Sequence, residues 1–210
     1  MWFRRALAIK SWSERLAKLA GDEGAEILEF AISLPLLLVV VVGVFDFGSA
    51  FIVKQKVGNI ALEAARVASN QPTADLSLAG GCTAPNSVCS VRDVVAQNLT
   101  ASKLNDCGLA TANATPGTPL NAGAALAWTF TANTACGGTL TLTVERGFIY
   151  TTTLPNPPFQ AGNYTIEGTR VTLSYPYRWE FNRVVPFIAA GANYPATSQI
   201  DTVAVMQNLN

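Results

Sequence analysis

Between Phe30 and Val53 the chain carries 24 residues with a single charge, Asp46. As a helix rising 1.5 Å per residue, such a run is about 36 Å long, enough to cross a hydrocarbon core of about 30 Å. Glu29 stands immediately before it. Glu29 and Asp46 are 17 positions apart. That places the two carboxylates roughly 25 Å apart along the helix axis, so each can sit near one bilayer face and avoid the costly centre. Pro35 falls in the first turns, where a kink is tolerated.

The flanks give the run a direction. Arg4, Arg5, Lys10, Arg15 and Lys18 precede it, set against Glu14, Asp22 and Glu23, whereas all four cysteines lie after it. Basic flanks stay in the cytoplasm and disulfides form outside it, so both signals place the N-terminus inside and the C-terminal part outside. A cleaved signal peptide is the rival reading, with "FGSA" as a small-residue site ending at Ala50. Against it stand the length of the leader, the acidic pair Asp22 and Glu23, and an apolar run longer than an ordinary signal core.

Beyond the run about 150 residues remain, enough for a hydrophobic core. The formal net charge is zero, so the electrostatic footprint of nucleic-acid binding is missing and no nucleic-acid partner is expected. The sequence has no histidine, which excludes Ser-His-Asp and Cys-His catalysis and His-ligated metals. No P-loop, G-x-S-x-G or G-x-G-x-x-G occurs, and the carboxylates Asp93, Asp106, Glu145, Glu167, Glu180 and Asp201 are scattered. The reading is a non-enzyme without cofactor, metal or small-molecule substrate. Cys82, Cys89, Cys107 and Cys136 read as two disulfides; free buried thiols are the alternative, and a zinc site is disfavoured because no C-x-x-C pair occurs. A local Cys82–Cys89 bridge would leave Cys107 with Cys136, but three connectivities are open and the sequence does not choose. Asp46, between two phenylalanines, reads either as a contact to a partner helix or, more commonly for such a residue, as an outer-boundary residue, and is given no role. The stretch "YPYRWEF" (residues 175–181) either binds sugar, lipid or a subunit, or forms a sheet edge with one buried face.

The segment "GAEILEFAISLPLLLVVVVGVFDFGSAFIVKQKVGNIALEAARVAS" resembles the TadE-like N-terminal module of pseudopilins from the tight-adherence (Tad, Flp-type, type IVb) pilus system. Gly24, Glu29-Phe30-Ala31, Leu34-Pro35, the apolar run and "EAARVA" carry the likeness. The resemblance implies processing by a prepilin peptidase on the cytoplasmic face, between Gly24 and Ala25, in the pattern of a glycine, four residues, a glutamate and an aromatic, here Glu29 and Phe30. Glu29 would become the fifth residue of the mature chain. In a filament it could pair with the α-amine of a neighbouring subunit's Ala25, offsetting two otherwise costly charges. The implied partners are the inner (cytoplasmic) membrane, the peptidase and other pilin or pseudopilin subunits, and the implied setting is a bacterial inner membrane crossed once.

Past the run, "KQKVGNIALEAARVASN" keeps helical spacing, with Val57, Ile60, Ala61, Ala64, Val67 and Ala68 on one stripe. "SVRDVVAQNLTASKL" predicts a second helix of about three turns, capped by Ser90 with Asp93. From Ala125 the period changes to two: "LAWTFT", "TLTLTVERGFIYTTT" and "YTIEGTRVTLSYPYRW" read as half-buried strands, "LPNPPFQAGN" as a Pro-rich turn, and "SQIDTVAVMQ" as an edge or closing strand. "VVPFIAAGA" is either a short helix or a membrane-proximal loop. The expected fold is α+β and pilin-like: a long N-terminal transmembrane and amphipathic helix, a second short helix and a disulfide-bonded C-terminal antiparallel sheet. The expected organisation is a basic cytoplasmic leader (1–24), the TadE-like helix (25–70) and an exported domain (71–210). Two other classes fit a membrane anchor or a leader less specifically: a single-pass binding or hydrolytic domain unrelated to pili, and a secreted β-rich protein cut after Ala50.

Overall fold

The computed structural model describes residues 22–117, 126–134, 136–154, 162–180 and 197–208. Residues 1–21 of the expected leader, residues 155–161 of the Pro-rich turn and the apolar segment 184–192 lie outside them. The chain divides into two compact units, Met1–Phe47 with Glu180–Tyr194, and Gly48–Trp179 with Pro195–Asn210.

Helix α1 runs from Asp22 to Asn70 and contributes to both units. It continues through Pro35 as one helix. In the first unit its side chains are overwhelmingly apolar and exposed, among them Ile32, Leu36 and Phe45. In the second unit the composition changes to the amphipathic stripe, and the stripe is buried: Val57, Ile60, Ala61, Ala64 and Ala68 belong to the core, and Val67 packs against it. The small alanines let the helix backbone come close to what it covers.

The second unit holds the rest of the fold. Helix α2 (Asn86–Ala101) buries Val88, Val91, Val95 and Leu99, a 3-4-4 spacing that lines one face. A short 3-10 turn (Leu109–Thr111) leads into a five-stranded sheet: β1 (Ala114–Pro116), β2 (Ala127–Ala132), β3 (Leu140–Leu154), β4 (Gly162–Arg178) and β5 (Thr197–Gln207). The strands are antiparallel and ordered β1-β2-β3-β4-β5, each beside its neighbours in sequence.

The two-residue period sorts the sheet's faces. Phe130, Leu142 and Leu173 lie in one cross-strand row, with Val144 and Val171 in the next, and all five are fully buried. The opposite face carries a row of threonines in register, Thr115, Thr129, Thr143 and Thr172. Thr129 and Thr143 share a hydroxyl hydrogen bond of 3.1 Å. Leu140, Leu142, Val144, Val171, Leu173 and Tyr175 are all buried, as their alternation predicts. Each large aliphatic side chain so buried contributes about 1.5–3 kcal/mol.

Two glycines are dictated by geometry. Gly147 holds φ +83° at the point where the β3–β4 register shifts, a left-handed conformation that costs other residues. At Gly168 a side chain would meet the Met206 carbonyl oxygen of β5 at 2.6 Å.

The second helix starts earlier than its sequence suggests. It begins at Asn86 after Pro85, and Ser90 lies inside it, its hydroxyl donating to the Asn86 carbonyl at 2.9 Å. Asp93 pairs with Arg92. The capping role expected of Ser90 and Asp93 is therefore taken elsewhere. The carboxylate of Asp75 accepts hydrogen bonds from the Ser87 backbone N–H and hydroxyl, both at 2.8 Å. A proline supplies the starting φ, and a carboxylate from a preceding loop satisfies an orphan N–H at the positive end of the helix.

Both disulfides form within this unit, Cys82–Cys89 and Cys107–Cys136. The first ties the loop before α2 to its opening turn. The second ties the segment after α2 to the β2–β3 connection. Each is flanked by a backbone hydrogen bond of 2.8 Å, Ala114 N–H to the Cys82 carbonyl and Thr134 N–H to the Cys107 carbonyl.

Candidate functional site

The residues singled out for processing and assembly lie at the start of α1. The Gly24–Ala25 peptide bond lies within α1, described from Asp22 onward. Glycine is a poor helix former there. Ala25 and Glu29 are four residues apart and therefore share a face one turn apart. Ala25, Glu29 and Phe30 are exposed, Phe30 at 64%, while Gly24 is partly buried. Glu26 and Glu29 stand on the helix four and seven residues after Asp22. Ser33 donates its hydroxyl to the Phe30 carbonyl at 3.2 Å. Pro35 has no N–H to give. Pro35 thus removes one bond of the helix ladder, whereas the Ser33 bond adds to it.

Beyond Pro35 the helix presents an almost wholly apolar surface. Among the described residues one helical stretch, Gly24–Asn70, is long and apolar enough to cross a membrane, and none of its most apolar window is buried. A water-soluble monomer rarely exposes apolar patches beyond a few hundred Å². Asp46 is 5% exposed, between Phe45 at 73% and Phe47 at 64%.

The second unit offers polar surfaces of other kinds. A groove of about 560 Å³ runs between α1 and α2, lined by Lys56, Asn59, Glu63, Arg66, Asn98 and Ser102 among others. Lys56 Nζ donates to the Ser102 carbonyl at 2.8 Å, joining the two helices. No group of three or more His, Cys, Asp or Glu that could hold a metal ion occurs among the described residues. At the end of β4, Tyr177 and Trp179 meet edge to face with centroids 5.0 Å apart, and the Trp179 indole N–H donates to the Ser198 hydroxyl at 2.8 Å.

Sequence reasoning missed Arg146, which is 1% exposed. One guanidinium nitrogen donates to the Gln71 carbonyl at 2.8 Å, just past the C-terminus of α1, where a cation is favoured. Burial pushes this guanidinium below its ordinary pKa, while the carboxylates of Asp75 and Glu167 pull it up. The only signal in the sequence is that Arg146 continues the inward alternation of Leu140, Leu142 and Val144.

The family model of TadE-like proteins matches residues 24–66. This segment of the chain is TadE-like. The match opens at Gly24 and closes at Arg66, so it takes in the Glu29 turn, the whole apolar run and most of the amphipathic stripe, about a fifth of the 210 residues. No curated protein and no solved structure matches the chain. The TadE-like segment lies wholly within α1, and the sheet, α2 and both disulfides fall outside it.

Proposed function

We propose that the chain is a membrane-anchored component of a Tad-type pilus system, a minor pilin or pseudopilin that takes part in pilus assembly, adhesion or secretion. The observation that carries this reading is the coincidence of the TadE-like match with a helix whose apolar surface is left bare. A helix of that kind needs lipid or other helices around it, and a pilus subunit meets both in turn. In this proposal α1 crosses the bacterial inner membrane once, with the basic leader in the cytoplasm and the second unit outside. A prepilin peptidase cuts between Gly24 and Ala25, where glycine is a poor helix former. Glu29 then sits in the first turn of the mature helix, where its carboxylate is held by the helix end and can meet the new α-amine of a neighbouring subunit. The exported unit, tied by two disulfides, caps, primes or decorates the fibre.

The test is mass spectrometry of the N-terminal peptide of the protein taken from its native membrane. A chain starting at Ala25 is expected. A chain starting at Met1 would overturn the processing step and leave a permanent anchor. Glu29→Ala is expected to abolish assembly while the protein still inserts, and normal assembly of that variant would remove Glu29 from the mechanism.

A further inference from the structure

The two edges of the sheet are built differently. β1 is three residues long and ends in Pro116, a short, proline-closed form that keeps an edge from pairing. β5 runs for 11 residues, from Thr197 to Gln207, without proline, lysine or arginine, and it pairs with β4 without interruption. Among the described residues no strand lies on its other side. A long, regular edge of this kind is a template for another strand.

The ladder to β4 decides which backbone groups β5 offers. The Asn208 N–H donates to the Glu167 carbonyl at 3.2 Å, and this pair continues the β4–β5 register. Hydrogen-bonded pairs alternate along an antiparallel ladder, so the even-numbered residues of β5 aim their N–H and C=O groups at β4. Pro176, with no N–H to give, stands opposite the odd-numbered Gln199 and fits that alternation. The odd-numbered residues Gln199, Asp201, Val203, Val205 and Gln207 therefore aim theirs away from the sheet. The side chains of all five are exposed, Val203 at 54% and Val205 at 38%.

We propose that this edge is a self-association surface, on which β5 pairs antiparallel with β5 of a second copy about a two-fold axis at Val203. Two five-stranded sheets are thereby joined edge to edge. The strand matches itself in that register. Val203 meets Val203, Asp201 meets Val205 and Gln199 meets Gln207, so every outward-pointing residue finds an outward-pointing partner. The one charge of the strand, Asp201, meets no like charge, and Ser174 of β4 donates to its carboxylate. On the core side Ile200 meets Met206, adding an apolar pair on either side of the axis. A register centred on Asp201 would set two carboxylates opposite each other, which is destabilising. A two-fold contact demands such self-matching, whereas a strand that serves a foreign partner has no reason to show it. The axis stands perpendicular to the sheet and reverses the strand direction. The contact thus joins units that face opposite ways, not neighbours repeated in one direction along a fibre. It stands on the sheet alone and does not depend on the reading of α1.

The test uses the full chain in detergent with single cysteines added on β5. Under mild oxidation Val203→Cys is expected to give a covalent dimer, because opposed residues of a hydrogen-bonded pair have Cα atoms about 5.5 Å apart, within disulfide reach. Asp201→Cys and Val205→Cys are expected to cross-link when mixed and not alone, since each lies about 13 Å along the strand from its own copy. Light scattering is expected to show a dimer for the wild type and severalfold weaker association for Val203→Lys, whose exposed position leaves the fold intact. A monomeric wild type would overturn the proposal. So would cross-linking of Asp201→Cys or Val205→Cys alone, which sets another register. A Val203→Lys chain that dimerises as tightly as the wild type would also overturn it, because association would then run through another surface.

Discussion

The two disulfides close loops of very different length, and their removal should rank accordingly. Cys107 and Cys136 are 29 residues apart in sequence, Cys82 and Cys89 only 7. In the chain-entropy account, cross-linking removes about 3.6 kcal/mol of unfolded-state freedom for the longer loop and about 2.4 kcal/mol for the shorter. The double variant Cys107→Ala/Cys136→Ala should therefore be less stable than Cys82→Ala/Cys89→Ala by about 1.2 kcal/mol, roughly an eightfold difference in the unfolding equilibrium. Burial does not separate them, because each bridge joins a fully buried cysteine, Cys82 or Cys107, to a partly buried one, Cys89 or Cys136. The measurement is a denaturant titration of the detergent-solubilised full chain, followed by tryptophan fluorescence, for both double variants and for the wild type. A short-loop variant as costly as the long-loop variant would refute the entropic reasoning. It would mean that the Cys82–Cys89 bridge acts mainly in the folded state, by holding the Pro85 start of α2 in place.

Arg146→Ala should cost about 2–5 kcal/mol, since it empties a fully buried site and removes the hydrogen bond to the Gln71 carbonyl. Arg146→Met should cost clearly less, because Nε and Nη1 have no hydrogen-bond partner and lose nothing when replaced by an apolar stem; equal costs in the same titration would contradict this. Gly147→Ala should lose roughly 1–2 kcal/mol from its left-handed backbone, read as a lowered Tm, and an unchanged Tm would show that the β3–β4 irregularity relaxes. Burial raises the Tyr175 phenol above its ordinary 10.0, so above about pH 10 the unfolded chain sheds a proton that the folded chain keeps. Stability should fall with rising pH in that window, and Tyr175→Phe should flatten the fall; an unchanged slope would assign it to other groups.

Much of the fold is legible along the chain because it rests on local periodicity. The 24-residue apolar run, the alanine stripe from Val57 to Ala68 and the alternation through β3 and β4 each declare which face is dry. The Gly24–Glu29–Phe30 pattern is legible too, since it is a short contiguous string. Less is readable where one residue answers another far away. Ser90 and Asp93 have the spacing of a helix cap, yet Asp75 caps α2 across a loop of its own making. Arg146 falls on the inward side of an alternating strand, and only its position against Gln71, 75 residues earlier, shows what its guanidinium meets there.

The sequence by itself determined that the chain has a bare apolar helix, an amphipathic continuation and an antiparallel sheet, because burial period and composition are properties of neighbours. It left three cysteine pairings open, since chain entropy favours short loops without forbidding long ones. Only the tertiary structure chose Cys82–Cys89 and Cys107–Cys136. It alone also set the Arg146 guanidinium against the Gln71 carbonyl and the Asp75 carboxylate against the start of α2. Pairing and placement of this kind depend on contacts between residues distant in sequence, and no local pattern encodes those.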